Sequence, residues 1–165
     1  MTDDAPTSPT LGLRHAVLWV SDPRQSADFY SRALGLVVKT GSDDAVFMTS
    51  PGSATDHDLG LFRAPVARRP DSRQIGLYHL AWEVGTLSEL RAAKARLTEL
   101  KALVGENNHG VSRSLYCQDP DGIEFEIMWE VPEELLDPDE VTNTPLDFEA
   151  DFERFGTDRA GRGKP

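Results

Sequence analysis

The stretch from residue 107 to residue 126 carries side chains that could do chemistry. It contains His109, Tyr116 and Glu126, and the turn Asp119-Pro120-Asp121-Gly122 divides it into two strands. Imidazole, phenol and carboxylate groups bind metal ions, form hydrogen bonds and transfer protons. The sequence therefore predicts a functional surface on one strand-turn-strand unit.

Two upstream histidines complete a set of metal-ligating types. His79 follows His15 by 64 residues (79 − 15 = 64), and each stands in a similar apolar segment. In the last strand the apolar residues alternate with the acidic ones, so Glu126 can face away from the core. Two imidazoles and one carboxylate form the facial triad that suits Fe(II) and leaves adjacent coordination positions open.

Each of these histidines lies in the first strand of a β-α-β-β-β pattern. Asp22 and Gly35 bound the first helix, and Thr86 with Glu89 forms a capping box for the second. The repetition indicates a duplicated unit. Strands are predicted at 11–20, 36–40, 44–49 and 57–63, and again at 75–84, 103–105, 111–118 and 122–129.

The motifs Asn107-Asn108-His109 and LYCQDPDGIEFE, residues 115–126, resemble the signature of the extradiol ring-cleavage dioxygenases of the vicinal oxygen chelate superfamily. This superfamily also includes glyoxalases and bleomycin resistance proteins. The resemblance implies an α+β domain over residues 11–131, in which two βαβββ modules, 11–63 and 75–130, form a metal-bearing cup of mixed and antiparallel sheet. It also implies that His15, His79 and Glu126 hold Fe(II), with Mn(II) as an alternative.

The resemblance further implies roles for the other histidines and for one tyrosine. His57, followed by Asp58 and aliphatic residues, is similar to the acid-base catalyst of the family. His109 and Tyr116 resemble residues that hydrogen-bond the substrate. The implied reaction is ring cleavage of a catechol-type aromatic diol by O2. The alternatives are that His57 lies in an exposed loop and that Tyr116 is an ordinary strand residue, while Cys117 is expected to pack in the core.

Three other functions are alternatives for a chain with these residues. An epimerase or thiol transferase of the same superfamily would use the same three ligands. A metal-free protein that sequesters a cationic drug would suit the net charge of −11. Glyoxalase I is disfavoured because it needs a fourth ligand from the first module, near Leu61, which cannot ligate.

The composition indicates which binding partners and which cellular compartment to expect. The 28 acidic residues outnumber the 17 basic ones, so nucleic acid is not expected to bind. Cys117 is the single cysteine, the N-terminus lacks the pattern of a signal peptide, and no apolar run is long enough to span a bilayer. We therefore expect a cytoplasmic protein without a membrane partner. Exposed strand edges favour a homo-oligomer, although the oligomeric state stays open.

Two segments lie outside the modules. The linker 64–74 is polar, and the arginines in and beside it are expected to be solvated, with a substrate carboxylate as the alternative partner. The acidic extension 132–165 is expected to be partly disordered. Within it, Leu146, Phe148 and Phe152 could form a short docking helix, and residues 156–165 are predicted to be mobile.

Overall fold

A computed structural model describes residues 12–66, 75–140 and 142–162. The first module consists of β1 (Ala16–Val20), α1 (Pro23–Leu34), β2 (Val37–Gly41), β3 (Ala45–Thr49) and β4 (Leu59–Arg63). The second consists of β5 (Leu80–Glu83), α2 (Leu87–Glu99), β6 (Leu103–Asn108), β7 (Ser112–Gln118) and β8 (Glu124–Glu130). The α+β fold with two βαβββ modules is confirmed. Within these residues no helix is long and apolar enough to cross a membrane.

Each module forms its own four-stranded mixed sheet, and the two sheets have the same topology, with the strand orders β1-β4-β3-β2 and β5-β8-β7-β6. The first and last strands of each module pair in parallel, with Val17 opposite Gly60 and Ala81 opposite Glu126. Gly60 is therefore the counterpart of Glu126, one residue before the predicted Leu61. Glu126 and Gly60 are 66 residues apart (126 − 60), two more than the two histidines, because the paired residues are 45 apart in the second module (126 − 81) and 43 apart in the first (60 − 17).

The first strand of each module is shorter than predicted. β1 begins at Ala16 and β5 begins at Leu80, so His15 and His79 lie immediately before the strands and not inside them. The parallel partner of β1 begins only at Leu59, and earlier residues have no strand to pair with. The two histidines nevertheless occupy the same position in their modules, as the repeat predicts.

The helices begin where their caps predict. The Asp22 carboxylate accepts hydrogen bonds from the backbone N–H groups of Arg24 and Gln25, and the capping box between Thr86 and Glu89 is present. These caps satisfy N–H groups that have no acceptor within the helix. They fix the direction of each helix where it leaves its first strand.

Aromatic side chains join the two modules in one core. Tyr30 of α1 lies against Trp82 of β5 and Phe125 of β8, with ring centroids 6.4 and 5.8 Å apart. Phe29 also contacts Phe125. Helix α1 thus contacts the sheet of the other module as well as its own, and the two modules share one core.

The C-terminal extension packs against the second module. It contains the helix α3 (Phe148–Phe155), which buries Phe148 and Phe155, so the predicted docking helix is present. Residues 156–162 differ from the predicted mobile tail. Trp129 donates its indole N–H to the Arg159 carbonyl, and the Gly161 N–H bonds to Gly85. The buried indole needs an acceptor, and this segment supplies one.

The linker is described only in part. Arg63, at the end of β4, donates to the carbonyl oxygens of Ser21 and Asp43 and pairs with Asp44, so it has a structural role. Residues 67–74, which include Arg68, Arg69 and Arg73, lie outside the described residues. The edge strand β2 is exposed along its length, and a homo-oligomer stays a prediction.

Candidate metal centre

The centre of the candidate site is a close pair formed by His79 and Glu126. Nε2 of His79 lies 3.0 Å from a carboxylate oxygen of Glu126. His79 lies directly before β5 and Glu126 lies within β8, and the two are close because Glu126 is paired with Ala81, two residues after His79. Alternation along β8 buries Phe125 and Ile127 on the core side and leaves Glu126 on the other face, as predicted.

The donor atoms of this pair fit a divalent ion. Two ligands at right angles, each about 2.1 Å from an ion, lie about 3 Å apart, which matches the observed distance. Nδ1 of His79 is buried and has no hydrogen-bond partner in the described part of the chain. A neutral imidazole and a buried carboxylate are the nitrogen and oxygen ligands expected for Fe(II) or Mn(II).

His15, the third predicted ligand, lies against a different partner. Its ring stacks on the ring of His57 with centroids 4.4 Å apart. Across residues 12–66, 75–140 and 142–162, no three His, Cys, Asp or Glu side chains are grouped closely enough to hold one ion. The structure thus brings together two members of the predicted triad, and the triad itself stays a prediction.

A cavity of about 270 Å³ lies between the two modules. His15 and Asp58 line it from the first module, and Leu80, Ala81 and Trp82 line it from the second. Ala81 is the cross-strand neighbour of Glu126. His15 therefore faces the same space as the strand that pairs with the carboxylate.

Tyr116, in β7, and His109, directly after β6, form a second polar pair. The hydroxyl of Tyr116 lies 2.7 Å from Nε2 of His109, and Tyr116 is the cross-strand partner of Glu126. The ring of Tyr116 also lies 5.8 Å from the ring of His79. Burial and the negative charge of Glu126 raise the pKa of Tyr116, so its phenol keeps its proton at neutral pH.

His57 is held by the loop that precedes β4. Its Nδ1 lies 3.0 Å from the carboxylate of Asp56, and its ring also packs on Phe47. The side chain of His57 is only 16% exposed, so the alternative of an exposed loop residue does not describe it. The histidine is thus fixed beside His15, which lines the cavity.

Asp58 organises this loop, a role that the sequence alone did not predict. Its carboxylate accepts hydrogen bonds from the Ser50 backbone at 2.6 Å and from the Ser53 hydroxyl at 2.7 Å, and Thr55 also donates to it. Burial alone would raise the pKa of Asp58, but these hydrogen bonds outweigh burial and lower it to about 2. The cluster of serine and threonine around one aspartate is the sequence signal that could have revealed it.

Cys117 and Gly60 are excluded from ligation. Cys117 is fully buried on the face opposite Tyr116, as predicted, and burial raises the pKa of its thiol to about 12. Gly60 stands where a fourth ligand from the first module would be. Since glycine has no side chain, the glyoxalase I ligand set is incomplete here.

The fold and the paired ligand types define a class of protein: a two-module α+β domain with a candidate metal centre on its second sheet. The sequence profile of the Glyoxalase/Bleomycin resistance protein/Dioxygenase superfamily matches residues 12–127. The chain belongs to this superfamily, and the predicted family is confirmed.

Two curated relatives are dioxygenases. The chain is 30% identical over 150 residues to a catechol-2,3-dioxygenase of Bacillus subtilis, a match that covers 88% of this chain and 52% of the relative. It is 31% identical over 135 residues to biphenyl-2,3-diol 1,2-dioxygenase 2 of Rhodococcus globerulus, covering 78% of this chain and 66% of that protein. The chain thus spans about half of the first relative and two thirds of the second.

Solved structures share the fold. The fosfomycin resistance protein FosX of Listeria monocytogenes, solved with Mn(II) and sulfate, superposes with a TM-score of 0.58 at 23% identity, and the match covers 76% of this chain and 94% of that chain. At this identity the likeness concerns the fold alone.

Proposed function

We propose that the protein is an Fe(II)-dependent extradiol dioxygenase that opens the ring of a catechol-type substrate with O2. The observation that carries the proposal is the 3.0 Å approach of His79 to Glu126 beside the Tyr116–His109 pair. Two candidate metal ligands, His79 and Glu126, then lie next to a pair that can hydrogen-bond a phenolic oxygen of the substrate. The names of the two dioxygenase relatives support the same reaction class.

His15, His79 and Glu126 would hold the ion, and Mn(II) fits the same ligands. When bound, Fe(II) supplies open coordination positions for a chelating diol and for O2. The cavity of about 270 Å³ has room for a single aromatic ring. It is lined by His15 and by Leu80, Ala81 and Trp82.

Three other side chains would act on the substrate. Tyr116 donates its hydroxyl hydrogen to a substrate oxygen, and His109 holds that hydroxyl in place. His57, whose ring packs on the cavity-lining His15, accepts a proton from the diol and returns it later in the reaction, because an imidazole can act as both base and acid. Placing donors where negative charge develops lowers the barrier.

The test is anaerobic loading of the full chain with Fe(II), followed by oxygen-uptake assays over a panel of catechols. We expect stoichiometric iron and a yellow ring-fission product. Glu126→Gln should abolish both, while the matched control Glu124→Gln, on the same strand, should retain them. Full ring cleavage by the Glu126→Gln protein would contradict the proposal.

A second candidate is a metal-free binding protein, favoured by the stacking of His15 on His57 away from the other two ligands. The acidic surface of such a protein would attract a cationic ligand. Metal analysis separates the two functions, because a sequestering protein contains no stoichiometric iron after loading and gel filtration.

A further inference from the structure

The C-terminal extension reaches the candidate site through Asn143. The backbone of Asn143 has a left-handed conformation, with φ of 60°, and its N–H donates to the Asn108 carbonyl at 2.6 Å. The next residue, Thr144, accepts the N–H of Asn108 at 2.9 Å. The extension is therefore paired with the end of β6, directly before His109.

Buried charges fix the extension in this place. Arg113 is 1% exposed, and its guanidinium bonds to Asp151 at 2.8 Å and to Glu140 at 2.7 Å, both in the extension. It also donates to the Asn108 side chain at 2.7 Å. Three charged groups and one amide thus hold Glu140 and Asp151 of the extension against β6 and β7, and Asn143, between them in the chain, is held at a defined position.

A chain of hydrogen bonds runs from Asn143 to Tyr116. The side-chain oxygen of Asn143 accepts from Nδ2 of Asn107 at 3.2 Å, and the same Nδ2 lies 3.5 Å from Nδ1 of His109. Nε2 of His109 lies 2.7 Å from the Tyr116 hydroxyl. An amide nitrogen can only donate, so these contacts fit the tautomer of His109 in which Nδ1 accepts and the ring proton lies on Nε2.

The position of this proton decides what Tyr116 can do. With the proton on Nε2, His109 donates to the Tyr116 oxygen, and the hydroxyl hydrogen of Tyr116 stays available for a substrate oxygen. If the Asn107 amide were reversed, its oxygen would face Nδ1 and favour the proton there. Nε2 would then accept the hydroxyl hydrogen of Tyr116, and Tyr116 could not donate to the substrate.

We propose that Asn143 is a positioning residue that keeps the Asn107 amide in one orientation and thereby sets the tautomer of His109 that leaves Tyr116 a donor. The proposal deepens the dioxygenase function and rests on it for its effect on turnover. Its effect on the tautomer needs no substrate.

Two substitutions of Asn143 distinguish the effect of its side-chain oxygen from the effect of its backbone conformation. Asn143→Gly removes the side-chain oxygen and keeps the left-handed conformation, which glycine adopts freely. Asn143→Asp keeps an oxygen that can only accept, and aspartate also tolerates this conformation. The Asn107 amide should therefore lose its fixed orientation in the glycine variant and keep it in the aspartate variant.

Nitrogen-15 NMR of the imidazoles in the chelator-treated full chain at pH 8 reads the tautomer, with the His109 signals assigned through His109→Gln. We expect the Nε2 proton in the native chain and in Asn143→Asp, and a mixture of tautomers in Asn143→Gly. With iron and catechol, kcat should fall about tenfold in the glycine variant at nearly constant KM, with recovery in the aspartate variant.

An unchanged His109 tautomer in Asn143→Gly would overturn the inference, as would equal shifts in both variants, because the effect would then come from the backbone. Absence of ring cleavage in the native chain would contradict the proposed dioxygenase function. That result would leave the NMR measurement intact as the test of Asn143.

Discussion

The hydroxyl of Tyr30 donates a buried hydrogen bond of 3.1 Å to the carboxylate of Asp119, which joins the first module to the turn before β8. The same carboxylate accepts the backbone N–H groups of Asp121 and Ile123 and so shapes the turn. Asp121 in turn accepts the N–H of Ser21 at 2.8 Å. Helix α1 thus fixes the start of the strand that carries Glu126.

Tyr30→Phe should lower the free energy of unfolding by about 1–2 kcal/mol at pH 7, because the variant leaves a buried carboxylate short of a donor. Burial raises the pKa of Asp119, and the Tyr30 hydrogen bond lowers it by favouring the ionised form. The loss should therefore be largest where Asp119 is ionised and should shrink as pH falls and Asp119 is protonated.

Urea unfolding at pH 7 and at pH 4 measures this difference. Tyr78→Phe is the matched control, since Tyr78 is 66% exposed and its substitution should leave stability unchanged. A loss that is equal at both pH values would show that the Asp119 charge is not involved.

Asp58→Asn should destabilise the fold by about 1–2 kcal/mol at pH 7, after discounting for solvent screening. The folded pKa of Asp58, about 2, lies below the ordinary value of 3.8. A lowered carboxyl pKa stabilises the fold above the unfolded pKa, and this contribution is lost as pH falls from about 4 to 2. The variant and the native chain should therefore converge in acid.

The measurement is the urea midpoint at pH 7, 4 and 3. Asp139→Asn, at an exposed position of the extension, is the control and should match the native chain throughout. If the deficit of Asp58→Asn stayed constant down to pH 3, the ionised carboxylate would not be its source.

Arg113→Leu should cost about 3–5 kcal/mol, because it leaves Asp151 and Glu140 without their buried cation. The extension should then detach more readily from β6. Limited proteolysis should cut between residues 137 and 155 faster than in the native chain. Arg96→Leu, at an exposed position of α2, should change neither stability nor cleavage.

Arg113→Leu combined with Asp151→Leu should recover part of the lost stability, since the pair is then replaced by apolar groups. A double variant as unstable as the sum of the two single variants would mean that the residues act independently.

Sequence periodicity could predict the repeat and the face of Glu126, because strand alternation is a local property. The capping residues Asp22 and Thr86 act on N–H groups two or three positions away, and they were predicted for the same reason. Asn143 and Arg113 were not assigned roles, since their partners lie 27 to 38 residues away and only the folded chain brings them together. The apolar residues of the extension predicted its helix, while its acidic composition concealed the ion pairs that anchor it.

The stacked pair His15 and His57 should respond differently to substitution. If His15 is a ligand, His15→Ala should lower the Fe(II) affinity by at least about 10–100-fold. That is the loss caused by substituting a residue that only hydrogen-bonds a metal ligand, and loss of a ligand itself should cost no less. If His57 is an acid-base catalyst, His57→Ala should retain iron and lower kcat by about 100-fold or more.

Iron titration under anaerobic conditions and oxygen uptake with a catechol distinguish these effects. The rings lie 4.4 Å apart, so each substitution also removes a packing partner of the other histidine. His15→Gln and His57→Gln keep more of that contact than alanine does, and they should reproduce the same division between affinity and turnover. If both glutamine variants lost iron, His57 would belong to the metal site. If neither variant lost iron, His15 would not be a ligand.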